Sequence, residues 1–181
     1  MKVKIRRTTP DDLESVYKLH CKCFSVTDCW YRTAIRDYLD KGLVIELVNE
    51  RLIIGVLLQG KITPCNQKMT IHVDSSEYKE DIFEPLTENG IDFFNNNNHY
   101  KSLNGIVMIC IDPDYRGRGL AKILIKKHWK HYNSGLVCLN TRKSNLNAFM
   151  LYKSMGYEHI AYIKNKYILP TEDSIFMIKN L

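Results

Sequence analysis

The sequence predicts a single α/β domain in which helices flank a mixed central sheet. Strand-like and helix-like segments alternate along the whole chain. A length of 181 residues suits one domain. Hydrophobic content of 45% against charged content of 25% supplies enough apolar material for a sizeable core.

The first strand is the alternating run "VKIRRTT". Thr9, Pro10, Asp11 and Asp12 then form a helix start: a capping residue, proline at the first helical position, and acids near the positive end of the dipole. Leu13, Val16, Tyr17, Leu19 and His20 keep helical spacing through about Phe24. A second helix is expected over Trp30 to Leu39, closed by Gly42. "LVIELVNERLIIGVLLQGKI" reads as a β-hairpin turning at Asn49-Glu50. Between Pro64 and Tyr100, "MTIHV" reads as a strand and "YKEDIFEPLTENGIDFF" as helix broken near Pro85 and Gly90, while Asn95 to Asn98 form a low-complexity loop tip. Regular pattern returns with the strand "LNGIVMICI", a helix from Gly117 to about Tyr132 and the strand "GLVCLNT". A helix from Asn145 to Met155, stopped by Gly156, precedes two strands, "YEHIAYIKN" and "SIFMIKN".

Composition narrows the function classes. No apolar run approaches the roughly 18 residues of a membrane span. The opening "MKVKIRRTTPDD" lacks the apolar core of a signal peptide, so a cytoplasmic, intracellular protein is expected. Six cysteines (Cys21, Cys23, Cys29, Cys65, Cys110, Cys138) are irregularly spaced and form no paired CxxC knuckle. Reduced thiols and no metal site are therefore expected. The net charge of +6 comes from scattered lysines without interleaved aromatics, which speaks against a nucleic-acid partner.

The most informative stretch is Asp112-Pro113-Asp114-Tyr115-Arg116-Gly117-Arg118-Gly119-Leu120-Ala121-Lys122, between an apolar strand and a helix. A helix N-terminus offers unpaired amides and a partial positive charge, and Gly117 and Gly119 bare that backbone. Arg116, Arg118 and Lys122 add cations where they oppose the helix dipole, a cost that a bound phosphate removes. A nucleotide P-loop is excluded because Ile123 follows Lys122, and a dinucleotide fingerprint because no third glycine is in register. A tight turn with solvated arginines remains as the plain structural alternative.

This stretch resembles the acetyl-CoA motif of the GCN5-related N-acetyltransferase (GNAT) family, (Q/R)xxGx(G/A) after an apolar strand. About 30 residues on, "LNTRKSNLNAFMLYKSMGY" resembles the family's second signature, a strand, Ser-Asn, and a helix carrying Leu-Tyr and ending at Gly-Tyr. The two signatures cover about Ile106 to Tyr157, and 64–100 then looks like an insertion between the third and fourth strands.

The resemblance implies the acyl-CoA N-acyltransferase fold, with splayed fourth and fifth strands, and acetyl transfer from acetyl-CoA to a primary amine of a small molecule or protein. It puts the pantetheine arm against the backbone of Ile109, Cys110 and Ile111. It puts the pyrophosphate on Arg116, Gly117, Arg118, Gly119, Leu120, Ala121 and Lys122. Asn145 matches the asparagine that hydrogen-bonds the cofactor, although Ser-Asn before a helix is also an ordinary cap. Tyr152, which by composition alone is a core residue, matches the tyrosine that protonates the leaving thiolate. Many members carry glutamate where this chain has Asn140, and asparagine accepts no proton at neutral pH. Glu46 and Asp28 are candidate bases by position only, whereas His72, in the segment 64–100, reads as a polar surface residue. The missing base also suggests an alternative, a CoA-binding protein of this fold with little or no activity. His128 and His131 share a helix face and are expected to be solvated. The acceptor, and whether the chain is a monomer or homodimer, are open at this stage.

Overall fold

The computed structural model describes residues 2–25, 30–48, 50–65, 68–73, 76–77, 81–85, 88, 90, 92, 95, 103–132 and 135–181, and for those within 62–85 the backbone alone. The chain divides into two compact units, Met1–Gln59 with Val107–Asn133 (unit 1) and Gly60–Ile106 with Ser134–Leu181 (unit 2).

Unit 1 contains β1 (Val3–Arg7), β2 (Leu43–Leu47), the first part of β3 (Leu52–Cys65) and the end of β7 (Leu103–Ile111), in the order β1-β2-β3-β7. β1 and β3 both pair antiparallel with β2, as the expected hairpin requires. Three helices, α1 (Leu13–Cys23), α2 (Arg32–Leu39) and α3 (Leu120–Tyr132), complete it. Val16, Leu19, Ile35, Ile45, Ile54 and Leu124 are among its buried side chains.

Pro10–Asp12 is a 3-10 turn, and α1 proper begins at Leu13. The Asp12 carboxylate accepts from the Thr9 amide at 2.7 Å and from both Arg6 terminal nitrogens at 2.7 Å. The Arg6 guanidinium thereby holds Asp12 below its ordinary range against the opposing effect of burial. The second helix starts at Arg32 rather than Trp30. The Trp30 amide is committed to His20 Nε2 at 2.7 Å and Tyr31 is extended, so neither can join the helix.

Two expectations for α3 are corrected. The helix begins at Leu120 instead of Gly117, because Gly117 and Gly119 lie at φ +75° and +76°, outside the right-handed helical region. His128 is not solvated but 0% exposed: it continues the stripe Leu120, Leu124, Ile125, and its Nδ1 lies 2.8 Å from Gln59 Oε1. His131 is exposed as expected.

Unit 2 holds the start of β7, β8 (Leu136–Arg142), α4 (Leu146–Ser154), β9 (Glu158–Ile168) and β10 (Thr171–Asn180). It also holds the end of β3, β4 (Lys68–Val73), β5 (Ser76–Glu77) and β6 (Asp81–Pro85). β7 and β8 are parallel, while β8-β10-β9-β6-β4 pair antiparallel, so the sheet is mixed. The β7–β8 ladder sets Asn104–Ile106 against Val137–Leu139, and both strands continue past it. Leu103, Cys138, Ile160, Ala161, Ile163 and Phe176 form the core.

Asp81–Pro85 corrects the helical expectation for 78–94. It is a strand whose Phe83 pairs with Ile163, a long-range partner that local periodicity does not reveal. Glu88, Gly90, Asp92 and Asn95 do have helical backbone. Among the described residues no helix is long and apolar enough to cross a membrane.

Candidate cofactor and catalytic site

In unit 1, β7 ends in a tightly braced turn. The Asp112 amide donates to the Ile54 carbonyl at 2.9 Å, tying the strand end to β3. The Asp112 carboxylate caps Pro113–Tyr115 by accepting from the Asp114 amide at 3.0 Å. Lys22 reaches across from α1 and binds Asp112 Oδ1 and Asp114 Oδ2, each at 2.7 Å. Burial pushes the Asp112 carboxyl up, but Lys22 and the Asp114 amide outweigh it and hold the group below its ordinary range.

Beyond this brace the backbone opens. At Gly117 and Gly119 an added Cβ would meet nothing within 4 Å, so the glycines answer to conformation rather than to crowding. The first helical hydrogen bond runs from the Ile123 amide to the Gly119 carbonyl at 3.2 Å. By helix geometry the amides of Leu120, Ala121 and Lys122 have no partner within α3. Arg116 Nε donates to the Ile111 carbonyl at 3.0 Å, and the Arg118 guanidinium lies 5.3 Å from the Tyr115 ring centre. Residues 116–119 and Lys122 are exposed, Leu120 is buried and Ala121 half-buried. Along β7, Cys110 is buried while Ile109 and Ile111 are half-buried. Unit 1 thus brings together bare amides, guanidinium groups and an exposed ammonium, a donor set suited to a multiply charged anion. A separate cavity of about 390 Å³, lined by Arg7, Lys41, Gln59, Lys127 and Lys130 among others, takes no residue from this turn.

In unit 2, Asn145 caps α4: its Oδ1 accepts from the Ala148 amide at 3.1 Å. Glu172, which sequence reasoning missed, organises the approach to this cap. It accepts from the Ser144 amide and hydroxyl and, at 3.1 Å, from Arg142 Nη1. Those donors hold its carboxyl below the ordinary range despite burial, which acts the other way. Tyr152 is 4% exposed, edge-on to Tyr157 at 5.8 Å between ring centres.

Of the candidate bases, Glu46 is held by Arg6 Nε at 2.6 Å. Asp28 and the side chain of His72 lie outside the described residues. Asn140 Oδ1 stands 3.5 Å from the Ser174 hydroxyl. Lys22 also escaped sequence reasoning, because its partners are 90 and 92 residues away. Among the described residues no three His, Cys, Asp or Glu side chains are grouped to hold a metal.

Solved structures with the same fold include Arabidopsis thaliana NAA60 in complex with acetyl-CoA (TM-score 0.71, 17% identity, 99% of this chain and 100% of that one). Ard1 from Thermoplasma volcanium is another (TM-score 0.69, 17% identity, 100% and 99%). A family profile described as Acetyltransferase (GNAT) domain matches residues 87–159. The N-alpha-acetyltransferase RimI of Mycobacterium tuberculosis is 30% identical over 69 residues, 38% of this chain and 44% of that protein. Residues 87–159 thus match a GNAT acetyltransferase domain, and the fold is the one these solved structures share. An uncharacterized Mycobacterium leprae protein is 35% identical over 69 residues, also 38% of this chain but 19% of that protein. The chain therefore spans less than half the length of either relative. The mixed sheet of unit 2 and the strand-turn-helix of unit 1 are elements of the GNAT fold.

Proposed function

We propose that the chain is an acetyl-CoA-dependent N-acetyltransferase that acylates a primary amine on a small molecule or a protein. The Gly117–Lys122 turn carries this reading: two left-handed glycines, open above their α-carbons, deliver the first amides of α3 next to Arg116 and Arg118. Diphosphate oxygens are the acceptors that such a donor set suits.

Arg116, Gly117, Arg118, Gly119, Leu120, Ala121 and Lys122 would hold the diphosphate, and the backbone of Ile109, Cys110 and Ile111 the pantetheine arm. Asn145 spends its Oδ1 on the Ala148 cap and would donate from Nδ2. Acetyl-CoA, when bound, supplies the acetyl group as a thioester. A strand amide near Ile111 then meets the oxyanion that develops as the amine attacks. Tyr152 holds the proton that the departing thiolate takes. A phenol near ~10 and a thiol near ~8.5 make that transfer close to balanced in a buried setting.

A second reading, CoA binding without turnover, is favoured by Asn140, whose carboxamide cannot serve as a base. Acetyl-CoA added to the purified protein should raise Tm by mass action, with NAD and ATP doing much less. Amine-dependent release of free CoA across a panel of small amines and peptides with free N-termini should then follow. Equal stabilisation by NAD would end the acetyl-CoA assignment, and stabilisation without CoA release would favour the second reading.

A further inference from the structure

The cavity of about 390 Å³ in unit 1 has no part in the proposed acetyl transfer. It lies where β1, the turn before β2, β3 and the last turns of α3 meet, and Arg7, Lys41, Gln59, Lys127, Lys130 and His131 border it. Along α3, about 10 Å of helix separates Lys127 from Leu120 and about 15 Å separates Lys130 from it. The cavity and the glycine turn are thus at opposite ends of one helix.

The lining carries one sign of charge. Among the described residues no carboxylate borders the cavity, and Arg6, which does, is spent on Asp12 and Glu46. Arg7, Lys127 and Lys130 form no ion pair among the described residues, and Lys41 meets only the exposed Asp40, at 3.9 Å. The negative end of the α3 dipole accounts for Lys130 and His131 in its last turn. It does not account for Arg7 and Lys41, which arrive from other elements. Arg7 is also held in place, since its Nη2 donates to His131 Nδ1 at 3.2 Å. Gln59 supplies an independent observation. It is 8% exposed, and its Oε1 accepts from His128 Nδ1 at 2.8 Å. Its amide Nε2 is left in the cavity wall as a donor without a partner among the described residues. A buried donor requires an acceptor, and cations around it favour an anionic one.

We propose that this cavity binds a small molecule carrying two or more phosphate groups. A phosphate monoester carries about −1.5 to −2 at neutral pH, so two of them match the four cations Arg7, Lys41, Lys127 and Lys130. A carboxylate brings a single charge and would leave most of them unanswered. The Arg7 fork and the lysine ammonium groups donate to phosphate oxygens, and Gln59 Nε2 adds a neutral donor in the wall. The volume falls within the roughly 300–1,000 Å³ of small-ligand sites. The cations gather around a concavity rather than along a groove, which favours a compact ligand over a nucleic-acid backbone.

The test is calorimetric titration of the full chain at low salt. The probes are inorganic tripolyphosphate and fructose bisphosphate, with citrate and a short single-stranded RNA as comparisons. Gly119→Glu removes the glycine turn as a competing phosphate site, and one equivalent of probe should still bind. Changing Lys127 and Lys130 together to Gln, both exposed, should weaken that binding by about tenfold or more. Gln59→Glu keeps the acceptor for His128 but replaces the donor with a carboxylate oxygen, and should weaken it too. Because Gln59 is buried and its variant can lose stability, the lysine pair decides alone. The tighter of the two probes tells an inorganic ligand from an organic one. No binding in Gly119→Glu, unchanged binding in the lysine variant, equal binding of citrate or tighter binding of the RNA would each overturn the proposal. No acetyl-CoA is present, so the outcome is independent of the acetyltransferase reading.

Discussion

In unit 1, Arg116 to Gly119 and Lys122, proposed for the diphosphate, stand exposed on a turn shaped by two left-handed glycines and braced by Asp112 and Lys22. In unit 2 the tyrosine proposed for proton transfer is buried against Tyr157, and Asn145 is engaged as a helix cap. Burial and capping are sufficient reasons for Tyr152 and Asn145 to exist without any ligand. Exposed glycines with cations at a helix start have no comparable structural reason, because they cost stability in the empty molecule. The two regions therefore support a function with different force, and substitutions can test each.

The largest effects belong to the pair that represents each region. Gly119→Glu puts a carboxylate where phosphate is expected and a side chain at φ +76°, so the Tm gain from acetyl-CoA should vanish while the far-UV spectrum persists. Tyr152→Phe keeps the packing and removes the hydroxyl. It should lower kcat by about 10²–10⁴-fold with little change in CoA affinity. If affinity and rate fall together, Tyr152 is a packing residue and the contrast between the units is one of function against structure.

His128 gives the next effect, and it concerns stability alone. Burial, with a smaller push from His131, lowers this imidazole from 6.5 to about 4. Its Nε2 is buried without a hydrogen-bond partner among the described residues. The unfolded chain binds a proton that the folded chain refuses, so this contribution is complete above pH 6.5 and lost as pH falls toward 4. The loss is on the order of 3 kcal/mol. Urea unfolding of wild type and His128→Gln between pH 7 and 4 should show a shallower acid slope in the variant. Identical slopes would mean that the imidazole is protonated in the folded state.

How far these features were legible in the sequence follows from whether their causes are local. Asn145 was placed correctly because a cap is defined by its own helix. The turn was recognised for the same reason, yet its helix was begun three residues early, since glycine spacing does not report the sign of φ. His128 does carry a local signal: it lies four residues after Leu124 and eight after Leu120, the period of a buried stripe, and that period outweighs its shared face with the exposed His131. Asp81–Pro85 is a strand only because β9 accepts it, and nothing local encodes that. Glu172 was illegible for the same reason, acting on Ser144 from 28 residues away.

Asn145→Ala removes the cap from α4 and should cost about 1 kcal/mol of stability, by denaturant unfolding. Asn145→Asp preserves the cap acceptor but removes the Nδ2 donor. If unit 2 contributes a cofactor contact here, the aspartate variant should keep its stability and still bind CoA more weakly. Unchanged binding in both would reduce Asn145 to a structural cap.

The smallest expected effect tests how much the brace matters to the turn it supports. Lys22 is 46% exposed, so its ion pairs with Asp112 and Asp114 are well solvated, and pairs of that kind are worth little. Its role is to hold the Asp112–Asp114 turn in place rather than to touch the cofactor. Lys22→Met should weaken acetyl-CoA binding by no more than about fivefold. The difference from wild type should shrink as ionic strength rises, because salt screens the pairs that the variant has already lost. It should also shrink on acidification. Asp112 is depressed below its ordinary range, so the pair is complete above the unfolded carboxyl's 3.8 and is lost as pH falls below it. Titration calorimetry of both proteins at low and high salt reads this directly. A loss of tenfold or more that persists in high salt would instead put Lys22 in contact with the bound phosphates, and the brace in unit 1 would become part of the site it supports.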